Sequence, residues 1–182
     1  MKKNLIVYAA LVWLVACATP ETENGTPESP AASAATEPAD AELTGTQFVD
    51  MGKAALANLS SGNVDAWLET FADNAMYRWN NGDSLAGKAA IAEYWKNRRG
   101  KDIKTITFSN DIWLSMKVNK PQNEFVAPGQ WLMSWYQVDA EYSTGKKMSQ
   151  WIHTDMHIND AGKVDIVIQY VDRVPIMNAM KP

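Results

Sequence analysis

The hydrophobic positions of residues 44–102 repeat with the period of an α-helix. Phe48, Met51, Ala55 and Leu59 fall on one helical face, and a threonine at 44 or 46 is a suitable N-cap. Ser60–Asn63 contains the polar and glycine residues that end such a helix. A second helix is predicted over 64–71. A third is predicted to begin at Gly87, with Ile91 and Trp95 on its apolar face.

From residue 103 onward the apolar positions alternate with a period of two, which indicates β-strands. The pattern predicts strands over 104–118, 130–142, 146–159 and 164–171, after a short strand over 75–79. Ser143-Thr144-Gly145 is the predicted turn of a long hairpin, and the tail from Arg173 is predicted to be loose. Helices followed by an antiparallel meander are typical of an α+β fold.

The first residues read as a targeting signal. Lys2 and Lys3 precede an apolar run over 5–15, which is too short for the ~20 residues that span a bilayer. The sequence Leu14-Val15-Ala16-Cys17 resembles the lipobox of bacterial lipoproteins. This resemblance implies that residues 1–16 are removed and that Cys17 is lipidated. The alternative is an ordinary signal peptide with an incidental cysteine.

Residues 17–43 are predicted to be a disordered tether between the lipidated cysteine and a domain over 44–182. Six acidic residues and no basic residue lie in 18–43, and the segment has almost no large apolar side chain. The chain is therefore expected in the bacterial cell envelope, anchored by lipid at the outer membrane or cell surface.

Charge and composition exclude several classes of function. The chain has a formal net charge of −4, one cysteine and two histidines. Residues 44–182 carry no net charge, so no nucleic-acid partner is expected. One cysteine excludes a disulfide scaffold, and no metal or cofactor is expected.

Several motifs resemble the SnoaL-like members of the nuclear transport factor 2 superfamily. They are Asn58–Trp67, Phe71–Ala75 and Leu85–Ile91, followed by Ile158–Val164 and Tyr170–Asp172. The resemblance implies a cone-shaped α+β fold in which three N-terminal helices pack on a strongly bent antiparallel sheet around one deep pocket. It also implies a homodimer. The family includes cyclases, isomerases, hydrolases and non-catalytic binders, so the fold alone does not identify the activity.

The positions that match the catalytic residues of the superfamily's ketosteroid isomerases are occupied by other residue types. Ala55 stands at the position of the oxyanion tyrosine, Trp79 at that of the general base, and Thr154 at that of the protonated acid. Steroid-isomerase chemistry is therefore not expected.

A hairpin in which Tyr142 pairs with Lys147 predicts which side chains line the pocket. Alternation along its strands, with Trp79 added from the first strand, gives a mostly apolar lining. The predicted lining residues are Trp79, Trp131, Met133, Trp135, Gln137, Asp139, Ile152, Thr154 and Met156. A shift of one residue in the pairing would exchange the two faces of a strand.

Three residues are candidates for acid–base catalysis. Asp139 is an inward carboxylate in this register, whereas His153 and Asp155 share the opposite face, where they would be solvated or at a dimer contact. His153, Asp155 and His157 spread over roughly 13 Å along one strand, too far to hold one metal ion. The expected function is the binding of a small, largely apolar ligand. The alternatives are a SnoaL-like cyclase, isomerase or hydrolase, and an inert adaptor whose pocket is filled by its own tryptophans.

Overall fold

The computed structural model describes residues 37–182, so the predicted signal peptide, Cys17 and most of the predicted tether lie outside the described residues. The helices are α1 (Val49–Ser61), α2 (Val64–Leu68), α3 (Lys88–Asn97), which continues into a π-helical turn (Arg98–Asp102), and α4 (Arg173–Met180). The strands are β1 (Ala41–Leu43), β2 (Phe71–Trp79), β3 (Ser84–Ala86), β4 (Ile103–Val118), β5 (Gly129–Tyr142), β6 (Lys147–Ile158) and β7 (Val164–Tyr170). None of the helices in this part of the chain has the length and apolar character needed to cross a bilayer.

The strands form one seven-stranded sheet in the order β1-β4-β5-β6-β7-β2-β3. Neighbouring strands are antiparallel except for β2 and β7, which are parallel. The predicted α+β class is confirmed, and the sheet is open rather than closed. The domain was predicted to start at residue 44, whereas the sheet already includes Ala41–Leu43, which pair with the end of β4.

The β5–β6 hairpin differs by one residue from the predicted register. Glu141, not Tyr142, pairs with Lys147, and Trp135 pairs with His153 rather than with Thr154. The reason is a three-residue turn in which Gly145 adopts a φ of 82°. The Tyr142 N–H donates to the Lys146 carbonyl (2.9 Å) and the Gly145 N–H to the Tyr142 carbonyl (2.9 Å). A type I turn followed by a left-handed residue is a common three-residue hairpin loop, and glycine fits that position at low cost.

A break in the ladder bends β4 near its middle. The pairing of β4 with β5 shifts between Ser109 and Ile112, and Asn110 adopts a φ of 53°. An extra residue in one strand of an antiparallel pair bends that strand and increases its twist. The bulge therefore changes the direction of β4 between its two paired segments.

The helices pack on the inner face of the sheet. Ala55 and Leu59 of α1 join Trp67 of α2, Ile91 of α3 and Val167 of β7 in one buried cluster. α1 approaches the sheet closely because Gly52 has no side chain: a methyl group there would overlap the Trp113 ring and Leu132.

The C-terminal tail is a helix, so the prediction of a loose segment is wrong. The Asp172 side chain accepts a hydrogen bond from the Val174 N–H and caps α4. Pro175 falls in the first turn of the helix, where its missing N–H costs nothing. The buried Ala179 attaches α4 to the sheet, and its carbonyl accepts a hydrogen bond of 2.6 Å from the Thr144 hydroxyl.

Candidate functional site

An interior cavity of about 90 Å³ lies between the helices and the inner face of the sheet. Residues of α1, α2, α3, α4 and strands β2, β4, β5, β6 and β7 line it, and most of them are apolar or aromatic. Ligand sites in proteins have this composition, with a few polar groups that orient the ligand. This cavity is the candidate functional site.

A cluster of aromatic side chains packs beside the cavity on the side of β2 and α3. Neighbouring rings lie 4.6 to 6.3 Å apart between centroids, mostly in edge-on or tilted arrangements. Such contacts stabilise a core beyond the area they bury. The members are Trp67, Phe71, Tyr77, Trp79, Tyr94 and Trp95.

A chain of hydrogen bonds crosses the cavity wall from β2 to β5. The Trp79 indole donates to the Gln169 side-chain carbonyl at 3.1 Å, and the Gln169 amide donates to the Thr154 hydroxyl at 3.4 Å. The Thr154 hydroxyl lies 2.7 Å from the Tyr136 hydroxyl. Burial raises the pKa of Tyr136, and the hydrogen bond from Thr154 offsets part of that rise. Tyr136 therefore stays a neutral phenol at physiological pH.

Two further polar groups line the cavity deeper inside. The Trp95 indole is 8% exposed, and its Nε1 has no hydrogen-bond partner among the described residues. Burial, followed by the neighbouring Tyr136 and Tyr94, raises the pKa of Tyr77 well above its usual value. Both groups are neutral donors, so they can bind an acceptor atom of a ligand but cannot act as a base near neutral pH.

Two arginines lie where the cavity meets the surface. The Arg98 guanidinium donates to the Tyr142 hydroxyl at 3.3 Å and lies 5.7 Å from the centroid of the Tyr94 ring. Arg173 pairs with Asp83 and lies 6.0 Å from the Trp79 ring centroid. Arginine over an aromatic face is a favourable arrangement. Both charged residues in the cavity lining, Arg98 and Arg173, are therefore cations.

Four of the nine predicted pocket residues line the cavity. These are Trp79 from β2 and Ile152, Thr154 and Met156 from β6. Ala55, which stands at a replaced catalytic position, also lines it. The structure therefore places Ile152, Thr154 and Met156 of β6 on the inner face of the sheet.

The other five predicted pocket residues lie on the opposite face of the sheet. The register shift of one residue places the even-numbered residues of β5 inside, among them Ser134, Tyr136 and Val138. The five residues that face outward in this register are Trp131, Met133, Trp135, Gln137 and Asp139.

The candidate catalytic groups are also on the outer face. Asp139 is exposed. His153 Nε2 lies 2.9 Å from the Asp155 carboxylate, His153 Nδ1 lies 3.0 Å from the Ser134 carbonyl oxygen, and Trp135 stacks on the imidazole at 4.4 Å. The His153–Asp155 contact is close but poorly directed, since this carboxylate oxygen has no well-aligned hydrogen bond. Burial raises the pKa of Asp155, and His153 opposes that rise. None of the three can reach a ligand in the cavity.

His157 has a structural role on the same outer face. Its Nδ1 lies 2.5 Å from the Asp165 carboxylate, and its Nε2 lies 3.0 Å from the Pro128 carbonyl oxygen. These two contacts of His157 link the loop before β5 to the sheet. The same loop covers Trp131, whose indole donates a hydrogen bond to the Ala127 carbonyl at 2.9 Å. Within residues 37–182 no group of three potential ligand residues could hold a metal ion.

Four residues of the site were not predicted from the sequence: Tyr136, Gln169, Tyr77 and Arg98. Tyr136 follows from the correct hairpin register. Gln169 is a polar residue at a position of β7 that faces the cavity, in alternation with the apolar Val167 and Val171. That alternation could have identified it from the sequence. Arg98 directly follows the C-terminus of α3, where cations are common, and its place at the cavity depends on the tertiary packing.

The open sheet with helices on one face, and a cavity between the two layers, defines an α+β fold with an interior cavity. Residues 53–165, more than half of the chain, match the model of the SnoaL-like domain. The chain belongs to the SnoaL-like family.

Solved structures share this fold at low sequence identity. A candidate polyketide cyclase from Xanthomonas campestris pv. campestris is 16% identical, with a TM-score of 0.58 over 73% of this chain and 96% of that chain. A candidate isomerase from Bacillus subtilis is 16% identical, with a TM-score of 0.56 over 72% of this chain and 90% of that one. An LEH-like epoxide hydrolase from M. tuberculosis is 13% identical, with a TM-score of 0.52 over 74% and 90%. None of the curated proteins matches the chain.

The hydrogen-bond chain yields a stability prediction. Thr154→Val keeps the side-chain shape but leaves the Tyr136 hydroxyl and the Gln169 amide without their shared partner. We expect the free energy of unfolding to fall by about 1–3 kcal/mol, the usual cost of unsatisfied buried polar groups. Urea unfolding measures the change.

Thr107→Val is the matched control, because Thr107 is exposed on β4. It should change the free energy of unfolding by less than about 0.5 kcal/mol. Equal effects of the two substitutions on the free energy of unfolding would show that the hydrogen bonds of Thr154 add nothing to stability.

Proposed function

We propose that this protein binds a small, largely apolar ligand in its interior cavity, as a lipoprotein of the bacterial cell envelope. The observation that carries the proposal is the lining: aromatic and aliphatic side chains surround a cavity of about 90 Å³ and present only a few fixed polar groups. Burial of apolar ligand surface against such a lining is favourable by about 25 cal/mol per Å².

The same lining supports binding more than acid–base catalysis. General acid–base chemistry needs a titratable group within hydrogen-bond reach of the ligand, with a pKa near the working pH. Within residues 37–182 the cavity lining contains no aspartate, glutamate or histidine, and burial raises the pKa values of Tyr77 and Tyr136. The enzyme names of the structural relatives describe those proteins, and their low identity to this chain supports only a common fold.

The anchor rests on the sequence at the N-terminus. Lys2, Lys3, the apolar run over 5–15 and the Leu14–Cys17 motif together support lipidation at Cys17 and an address in the cell envelope. More than one acyl chain is needed for stable attachment to a membrane, and a lipoprotein cysteine supplies this.

We further propose that a second copy of the chain covers the outer face of the sheet. Large apolar side chains on it are strongly exposed, among them Ile112 (55%), Trp151 (54%) and Tyr170 (48%). Contiguous exposed apolar surface is typical of protein interfaces. The aromatic rings around His153 and Asp155 lie within this face, so a homodimer would also shield that pair from water.

Filling the cavity should abolish ligand retention. Ala55 lines the cavity on α1, and Ala55→Leu adds three carbon atoms to a small space. We expect native mass spectrometry of the protein from its own membranes to show a bound small molecule in the wild type and little or none in this variant. Circular dichroism checks that the variant is folded.

Ala57→Leu, on the exposed side of the same helix, is the control and should retain the ligand. A wild-type protein that carries no ligand, or equal retention in both variants, would contradict the proposed function.

Removing the lipidation site should release the protein from the membrane. In Cys17→Ser no thiol is available for acylation, so we expect the protein to move from the membrane fraction to the soluble fraction. It should also lose incorporation of labelled fatty acid. Unchanged fractionation and labelling would refute the anchor.

A charge on the outer face should prevent dimer formation. Trp151→Glu would place a carboxylate within the proposed interface, and we expect sedimentation velocity to show a monomer where the wild type is a dimer. Phe125→Glu is the control, because Phe125 is also an exposed aromatic residue (70%) but lies on the loop before β5. A monomeric wild type, or dimers in all three proteins, would argue against this interface.

A further inference from the structure

We propose that the ligand is a small monocarboxylate whose head group pairs with Arg98 and whose apolar tail enters the cavity. The inference rests on the proposed function and specifies its ligand class. It starts from Arg98, a cation that lines a mostly apolar cavity and has no anionic partner within residues 37–182.

Arg98 contacts three uncharged groups. Its guanidinium donates to the Tyr142 hydroxyl at 3.3 Å, lies 3.6 Å from the Met180 sulfur and sits over the Tyr94 ring. No ion pair within residues 37–182 includes Arg98. A guanidinium offers five N–H donors in a planar fork that matches a carboxylate. Most of that capacity is unused by the described residues.

The other arginine of the cavity is already neutralised. Arg173 forms an ion pair with Asp83, outside the cavity lining. Arg98 is therefore the group to which an incoming anion would bind, and Arg173 adds positive potential nearby. The opposite charges near this end, Glu93 and Asp102, line the outer groove and not the cavity.

Arg98 lies between the interior cavity and the protein surface. Arg98, Arg173 and Ile176 line both the interior cavity and an open groove between α3 and α4. A head group held at this junction would keep contact with water while its tail points inward. Such a position avoids the full desolvation of the carboxylate, which is costly in an apolar interior.

A second donor lies one helical turn away. Trp95 and Arg98 are three residues apart, so they project from the same side of the helical segment. Among residues 37–182 the buried Trp95 Nε1 has no acceptor. A buried donor without a partner is costly, and an oxygen atom of the ligand would satisfy it. Two donors on one side of α3 thus favour an oxygen-rich head over a pure hydrocarbon.

The volume of the cavity limits the tail. An apolar cavity of about 150 Å³ takes a benzene molecule, whereas sites for drug-sized ligands measure roughly 300–1,000 Å³. The 90 Å³ found here fits a short aliphatic tail and not a steroid or a fused polycycle. Hexanoate is therefore a suitable probe, and 1-hexanol has the same tail without the charge.

The test is isothermal titration calorimetry of the full-length protein with hexanoate and with 1-hexanol, in the wild type and in Arg98→Gln. We expect the wild type to bind hexanoate at least ten-fold more tightly than 1-hexanol. Arg98→Gln should lose that ten-fold preference and bind 1-hexanol as the wild type does. Retained 1-hexanol binding also shows that the variant is folded. Arg78→Gln, on β2 and outside the cavity lining, should behave as the wild type.

Two failures can be distinguished. Equal affinity of the wild type for the two probes, or an unchanged preference in Arg98→Gln, would overturn the carboxylate inference and leave the apolar binding site in place. If neither probe binds and the protein from its membranes carries no ligand, the proposed function fails as well.

Discussion

The turn at Gly145 determines what the cavity contains. A left-handed residue at this position closes the β5–β6 hairpin with three residues, and this sets the pairing of all the following residues on both strands. Because side chains alternate, a loop longer by one residue would turn Trp135 inward and Tyr136 outward. The hydrogen bond between the Tyr136 and Thr154 hydroxyls, and the one that the Gln169 amide donates to Thr154, depend on this register.

The order and type of the elements could be predicted from the period of the apolar positions. Three helices and five strands lie close to their predicted positions, because each buries one face against the other layer. The two short strands β1 and β3 have too few residues to show a period. α4 was missed because Pro175 suggests a break, although proline in a first turn is compatible with a helix.

The site could be predicted only in part. β6 alternates clearly between apolar and polar positions, so its inner face, with Ile152, Thr154 and Met156, was recognisable. β5 is apolar on both faces: Trp131, Met133 and Trp135 alternate with Leu132, Tyr136 and Val138. The period of two therefore divides the residues of β5 into two sets but does not show which set faces the cavity. Only the turn geometry, which differs by one residue between similar loops, distinguishes them.

β5 is apolar on both faces because the two faces of the sheet have different environments. The inner face packs against α1 and α3 around the cavity, and the outer face exposes apolar side chains such as Ile112 and Trp151 to solvent. Within residues 37–182 the cavity lining contains no histidine, aspartate or glutamate, and its charged side chains are Arg98 and Arg173. This distribution of charge supports the proposed binding of an anionic ligand more than its conversion by acid–base catalysis.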